Sequence, residues 1–246
     1  ERAAEDAAAS DRVRQVLFAA HDALTAAGLR FHLIGGTLLA IHRDGRPFPH
    51  DKDIDLGLPY DCDRDAVAAA FAQGFRPVLR ADDPHAQAAR EWVMGFIHEA
   101  SGLGVDLMFA RERDGLVRFQ LGWPDQLACE FPAYPLQALH WAGREWQVPS
   151  PPEHYLDAIY GPDWNGEPHI RGFDRRYFDT QVSNPSRTTE SLPRAVTLVL
   201  LRMLRALQAG QWARAQALCI QVLAREPLIE VEAMLAAIVE FLLREK

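Results

Sequence analysis

Between residues 51 and 58 the chain reads Asp-Lys-Asp-Ile-Asp-Leu-Gly-Leu. Acids at 51, 53 and 55 alternate with Ile54, Leu56 and Leu58 at the two-residue period of a β-strand, so one face is apolar and the other carries three carboxylates in a row. Like charges set so close repel, and either a divalent cation between them or free access to water has to offset that repulsion. Upstream, an apolar strand over 31–34 runs into Gly35-Gly36-Thr37-Leu38-Leu39. Two glycines free the backbone to approach a ligand, and Thr37 brings a hydroxyl to the start of a short helix over 37–42, where anions are stabilised. The plainer reading of the glycine pair is a tight strand-to-helix turn. Arg43 carries a planar fork that suits a phosphate oxygen, and is otherwise an ordinary surface residue.

Asp53 and Asp55 lie two apart, which directs both side chains to one side at a spacing that hard cations accept. All-oxygen ligands favour Mg2+ or Mn2+ over zinc. A third ligand is expected from a neighbouring strand, and Asp106 in Gly104-Val105-Asp106-Leu107-Met108-Phe109 is the candidate, because an acid inside an apolar strand is unusual. The competing reading is an edge strand with a solvated acidic face. Histidines 42, 50, 98, 140, 154 and 169 match no zinc spacing on one element. Tryptophans 92, 123, 141, 146 and 164 read as packing, with Trp164 a further candidate for lining a ligand groove.

The formal net charge of −8 argues against nucleic acid as the main partner, since backbone phosphates are met by basic surfaces. A phosphate-bearing substrate therefore needs local cations or metal. Cys62, Cys129 and Cys219 have no CxxC spacing, so neither a zinc knuckle nor a disulfide framework is indicated. No apolar run reaches the ~18 residues of a membrane span and no secretory leader is recognisable, so a reducing, cytoplasmic setting is expected. The sequence opens at Glu1 inside an Ala-rich helical pattern without a methionine, which reads as a piece of something longer.

The pattern predicts an amphipathic helix from about Ser10, as N-cap, ending at Gly28, and a helix capped by Asp61 that runs to about Gln73. Short strands follow over 76–80, 91–98, 103–109 and 116–120, then a hairpin of 136–141 with 145–148 turning at Ala142-Gly143. Ser150-Pro151-Pro152-Glu153 reads as a capping box opening a helix that stops at Tyr160-Gly161-Pro162. Residues 169–191 read as a polar linker. From Pro193 the chain is rich in helix formers, with Gly210 making a turn and Pro227 ending a second helix, the texture of a tetratricopeptide-type hairpin or of a plain helical subdomain. Two domains are expected, 1–185 and 190–246.

A glycine pair after a strand, an acid-hydrophobic-acid strand and a third acid on another strand resemble the nucleotidyltransferase superfamily. The register is closer to its LicD/fukutin branch, with Gly36, Thr37, Leu38, Leu39, Arg43, Pro49, Asp51, Asp53, Ile54 and Asp55 in line. Asp106 with Phe109 looks like that family's later aspartate segment, and Tyr160-Gly161 with Trp164 and Pro168 like its tyrosine-glycine motif. The likeness spans roughly 25–170. His50 stands where tryptophan is common and Lys52 where an acid is common, departures that bear on the donor more than on the metal site.

The resemblance implies an α+β fold, a nucleotidyltransferase-like mixed sheet flanked by helices, followed by a small all-helical C-terminal segment. It implies transfer of a phospho-alcohol (phosphocholine, ribitol phosphate or glycerol phosphate) from a CDP-activated donor to a glycan hydroxyl, by in-line attack on the β-phosphorus with CMP leaving. Asp53, Asp55 and Asp106 would hold Mg2+ or Mn2+. Gly35, Gly36, Thr37 and Arg43 would hold donor phosphates, and Asp51 or Asp106 would serve as base. The alternatives are a nucleotidyltransferase moving NMP from an NTP, and a non-catalytic module whose C-terminal helices recruit a protein partner.

Overall fold

The alternation over 53–58 becomes a central strand in the computed structural model, which describes residues 2–79, 86–120, 127–162, 164–165 and 180–244. Helix α1 (Arg2–Ala26) leads through β1 (His32–Leu33) and α2 (Gly35–Asp44) to β2 (Asp53–Pro59). Then come α3 (Arg64–Ala70), β3 (Phe75–Pro77), α4 (Ala86–Arg90), β4 (Val93–His98), β5 (Gly104–Arg113), β6 (Leu116–Gln120) and β7 (Ala128–Pro132). The hairpin β8 (Leu136–Trp141) and β9 (Arg144–Pro149) precedes α5 (Pro152–Tyr160). The main sheet is mixed, in the order β1-β2-β5-β4-β3, with β6 on β5 and β7 on β6. Strands β2 and β5 run parallel, while β1, β4 and β6 join them antiparallel.

Ile54, Leu56 and Leu58 of β2 and Val105, Leu107 and Phe109 of β5 are buried on one face of this sheet. Helix α1 packs there through Val13, Val16, Leu17, Ala20 and Leu24, an i, i+3, i+4, i+7 stripe, and α3 packs against α1. With one face closed by helices, the alternate residues Asp53, Asp55 and Asp106 are left on the other.

Several elements depart from the sequence expectations. Helix α1 begins before Ser10, so Ser10 does not cap it; it is buried mid-helix, where its hydroxyl donates to Pro47 O at 2.6 Å. The glycine pair forms the first turn of α2 instead of preceding it. Asp63, not Asp61, caps α3, accepting from the amides of Asp65 and Ala66, and the helix ends at Ala70. The capping box at 150–153 does not close: Ser150 Oγ donates to Gln137 Oε1 at 2.7 Å, and Glu153 is drawn across to His42 on α2 at 3.0 Å. Strand β3 spans 75–77; Arg80 and Trp123 lie outside the described residues, as do Pro168 and His169. Trp92 and Trp146 are buried packing residues, as expected.

The chain divides into two compact units, residues 1–126 with 130–156, and residues 127–129 with 157–246. In the second, α6 (Thr180–Ser183) precedes α7 (Leu192–Gln208), α8 (Trp212–Leu223) and α9 (Ile229–Arg244). Gly210 turns the α7–α8 hairpin at φ +67°, and its buried seam is Val196, Val199, Met203 and Ala206 against Ala215, Leu218, Cys219 and Val222. Helix α9 adds Val231 and Ile238 to that core. The described part of the expected linker is ordered structure: Asn184, Arg187 and Ser191 are buried. Their polarity is spent internally, since Asn184 Oδ1 accepts from Ser186 N and Oγ, and Arg187 donates to the carbonyls of Gln181 and Leu127.

Candidate active site

The β2–β5 register sets Asp55 directly opposite Asp106, and Asp53 opposite Gly104. Parallel partners point to the same face, so the three carboxylates share one patch. Gly104 eases this spacing, because a Cβ there would stand a tight 3.0 Å from the Asp53 Cβ. On the far side of Asp106, Gly95 of β4 is its cross-strand partner, and a Cβ there would lie 3.2 Å from Asp106 Oδ1. Glycines inside strands mark such close approaches. Asp51 sits just ahead of the strand, its amide bonded to Phe48 O at 3.3 Å, so the expected row of three acids on one strand is two on the strand and one in the preceding loop.

Burial raises all four carboxyls above the ordinary range, and acidic neighbours add to it at Asp51, Asp55 and Asp106. For Asp51 burial dominates and the charge of Asp53 adds to it, lifting the group to about 7. Asp106 is lifted to about 6 by burial and then by Asp53. Asp55 is pushed well up by burial, then by Asp53 and Asp106, and Asp53 itself is raised by burial. Repelling acids gathered on one face, with oxygen the only donor type, are the chemistry that a hard divalent cation stabilises. Among the described residues no three His, Cys, Asp or Glu side chains already converge as a finished coordination sphere. The Asp55 carboxylate is instead turned toward helix α2.

That helix starts directly over Asp55. The amide of Gly36 donates to Asp55 Oδ2 at 3.1 Å, and the amide of Asp55 donates to Thr37 Oγ1 at 2.8 Å. Gly35 adopts φ +56°, and a Cβ on it would fall 2.5 Å from Asp55 Oδ2, so only glycine fits. The amide of Gly35 donates to Tyr155 Oη at 3.0 Å. The structure therefore brings Gly35, Gly36 and Thr37 to the acids, where Gly36 and Thr37 hold Asp55 and Gly35 leaves room for its carboxylate. It does not bring Arg43 there. Arg43 lies in the last turn of α2, about 10–12 Å along the helix axis from the glycines. Its guanidinium is paired with Asp44 at 2.7 Å and stacked on Phe48.

Beside the carboxylates the same sheet face continues into a small cavity of about 10 Å³ lined by His32, Gly57, Met108, Tyr134 and Tyr155, among others. The His32 ring occupies the room that Gly57 leaves by having no Cβ, and its Nε2 meets Tyr134 Oη at 3.0 Å. Burial lowers this imidazole to about 4, so it is neutral near pH 7. Sequence reasoning missed His32, Tyr134 and Tyr155. Gly57, Gly95 and Gly104, each inside or at the start of an apolar strand, were the available signal for the crowding; nothing local marks Tyr155, which is 120 positions from Gly35. Tyr160 ends α5, Gly161 follows at φ +84°, and Trp164 Nε1 donates to Asp157 Oδ1 at 2.9 Å.

Among the described residues no helix is long and apolar enough to cross a membrane. Human ribitol 5-phosphate transferase FKRP is 29% identical over 152 residues, covering 56% of this chain and 29% of that protein. The chain thus matches less than a third of the length of that relative. The solution structure of the antibiotic-resistance factor ANT(2'')-Ia aligns over 85% of this chain and 96% of its own at 19% identity, with a TM-score of 0.43. The profile of the LicD/FKTN/FKRP nucleotidyltransferase domain matches residues 28–151, a span that holds the glycine turn and all four aspartates. On that match the chain belongs to the LicD/FKTN/FKRP nucleotidyltransferase-domain family.

Proposed function

We propose that this protein transfers a phospho-alcohol, such as ribitol phosphate, from a CDP-activated donor to a glycan hydroxyl. The observation that carries the reading is the in-register pair Asp55 and Asp106 beside Asp53, within the segment matched by the family. Similarity to human ribitol 5-phosphate transferase supports the class of group transferred. Asp53, Asp55 and Asp106 would hold Mg2+ or Mn2+, which when bound neutralises donor pyrophosphate and the charge developing on the leaving oxygen. Asp51, off the strand and next to Asp53, takes the proton of the acceptor hydroxyl. The acceptor oxygen forms its bond to the β-phosphorus as the bond to CMP breaks, and CMP leaves with the electron pair. The Gly36 amide keeps the Asp55 carboxylate in place during this exchange. Arg43, engaged with Asp44 and Phe48, has no part in this reading.

The test is thermal stability against CDP-ribitol, CDP-glycerol, CDP-choline, CTP, ATP and UTP, each with and without Mg2+ or Mn2+, because a ligand that binds the folded state raises Tm. A metal-dependent rise with one CDP-alcohol supports the reading and names the donor. A rise confined to a nucleoside triphosphate overturns it in favour of NMP transfer.

A further inference from the structure

Helix α5 meets α2 at both of that helix's ends. Glu153 pairs with His42 at 3.0 Å near the C-terminal end, and Tyr155 Oη accepts the Gly35 amide at 3.0 Å at the start. The Tyr155 ring is 3% exposed and stands edge-on to Phe131 and Tyr134, each with centroids 5.6 Å away, so its hydroxyl has a fixed position. The next amide along the chain, that of Gly36, holds Asp55 Oδ2. Two planar peptide groups therefore meet at the Cα of Gly35. One is pinned by Tyr155 and the other is bonded to Asp55. A residue without Cβ is the freest hinge in the backbone, and Gly35 must be glycine because of the carboxylate beside it.

The geometry points to Tyr155 as a positioning residue that aims the Gly36 amide, and through it the Asp55 carboxylate. The inference rests on the role proposed above for Asp55. Tyr155 acts by removing the freedom of the glycine hinge, through the bond its hydroxyl accepts from the Gly35 amide. A packing role alone would be met by the ring, without the hydroxyl.

Tyr155→Phe in the full chain keeps the ring and removes only that oxygen. Two readouts are made: amide hydrogen exchange at Gly36, whose amide donates to Asp55 Oδ2, and Mn2+ affinity from the paramagnetic resonance signal of free Mn2+. Exchange at Gly36 should quicken severalfold, and Mn2+ should bind about 10–100-fold more weakly, the usual effect of losing a group that orients a ligand. Tyr134→Phe, which removes a hydroxyl from the same aromatic cluster but one bonded to His32, should leave both unchanged. The inference is overturned if Tyr155→Phe leaves Gly36 exchange at the wild-type rate, or if Tyr134→Phe quickens it equally. Should the wild-type protein bind no Mn2+, the metal reading of Asp53, Asp55 and Asp106 falls, and the Gly36 exchange comparison still decides the role of Tyr155.

Discussion

Asp55 and Asp106 stand opposite one another on adjacent parallel strands, and each is made a weaker acid first by burial and then by acidic neighbours. Asp106, raised from 3.8 to about 6, holds in the folded state, between those two pH values, a proton that the unfolded chain has already lost. Its contribution to stability is complete below the unfolded value and disappears as pH rises through about 6. Asp106→Asn removes this term. The variant is expected to be more stable than wild type above about pH 7, with the advantage closing as pH falls through about 6 toward 4, as read from urea melts. His32, lowered to about 4, has the opposite sign: its contribution is present above 6.5 and is lost as pH falls through about 4. Comparing the two proteins at each pH cancels it.

Asp53→Ala should cost on the order of 10²-fold or more in transfer rate, since it deletes one of three expected oxygen ligands. Stability should not fall, because removing one of several repelling carboxylates relieves the rest. The mass gain of the acceptor after incubation with CDP-ribitol measures the first effect and a thermal melt the second. Near-normal transfer by this variant would place the chemistry elsewhere.

How much of this site the sequence reveals depends on whether the relation is local. The alternation at 53–58 shows strand and face together, because side-chain direction repeats every two residues. Asp106 stands out as an acid among apolar neighbours. The hairpin over 136–149 and the glycine turn at 210 are equally local and appear as expected. The pairing of Asp55 with Asp106 depends on register between strands about fifty residues apart, and the Tyr155–Gly35 bond on a helix 120 positions away. Neither leaves a periodic trace. The linker reading over the described residues 180–191 failed for a related reason: composition reports that residues are polar, and only the fold shows that Arg187 and Asn184 spend that polarity on buried partners.

Gly35→Ala separates backbone strain from crowding at Asp55. Gly28 and Gly35 both adopt left-handed φ, +65° and +56°, yet a Cβ at 28 meets nothing within 4 Å while one at 35 collides with Asp55 Oδ2. Both alanine variants should lose about 1–2 kcal/mol from the left-handed backbone. Gly28→Ala is expected to keep full transfer activity per folded molecule. Gly35→Ala should lose nearly all of it, since the carboxylate has to leave the Gly36 amide. Equal activity in the two variants would show that the position of Asp55 is not critical.

Arg187 tests the second compact unit independently of any chemistry. Its guanidinium, on a residue only 7% exposed, donates to Leu127 O at 3.0 Å, to Cys129 Sγ at 3.0 Å and through Nε to Gln181 O at 3.0 Å. Removing the fork leaves buried carbonyl oxygens without their donors, which costs more than the net value of the bonds themselves. Arg187→Ala is therefore expected to lose about 2–4 kcal/mol, against the ±0.5 kcal/mol typical of a surface position. Arg187→Lys should recover little, because an ammonium cannot reach carbonyls in several directions from one plane. Urea melts followed by circular dichroism at 222 nm would measure both variants. A loss for Arg187→Ala no larger than that of a surface substitution would return the segment around it to the status of a linker.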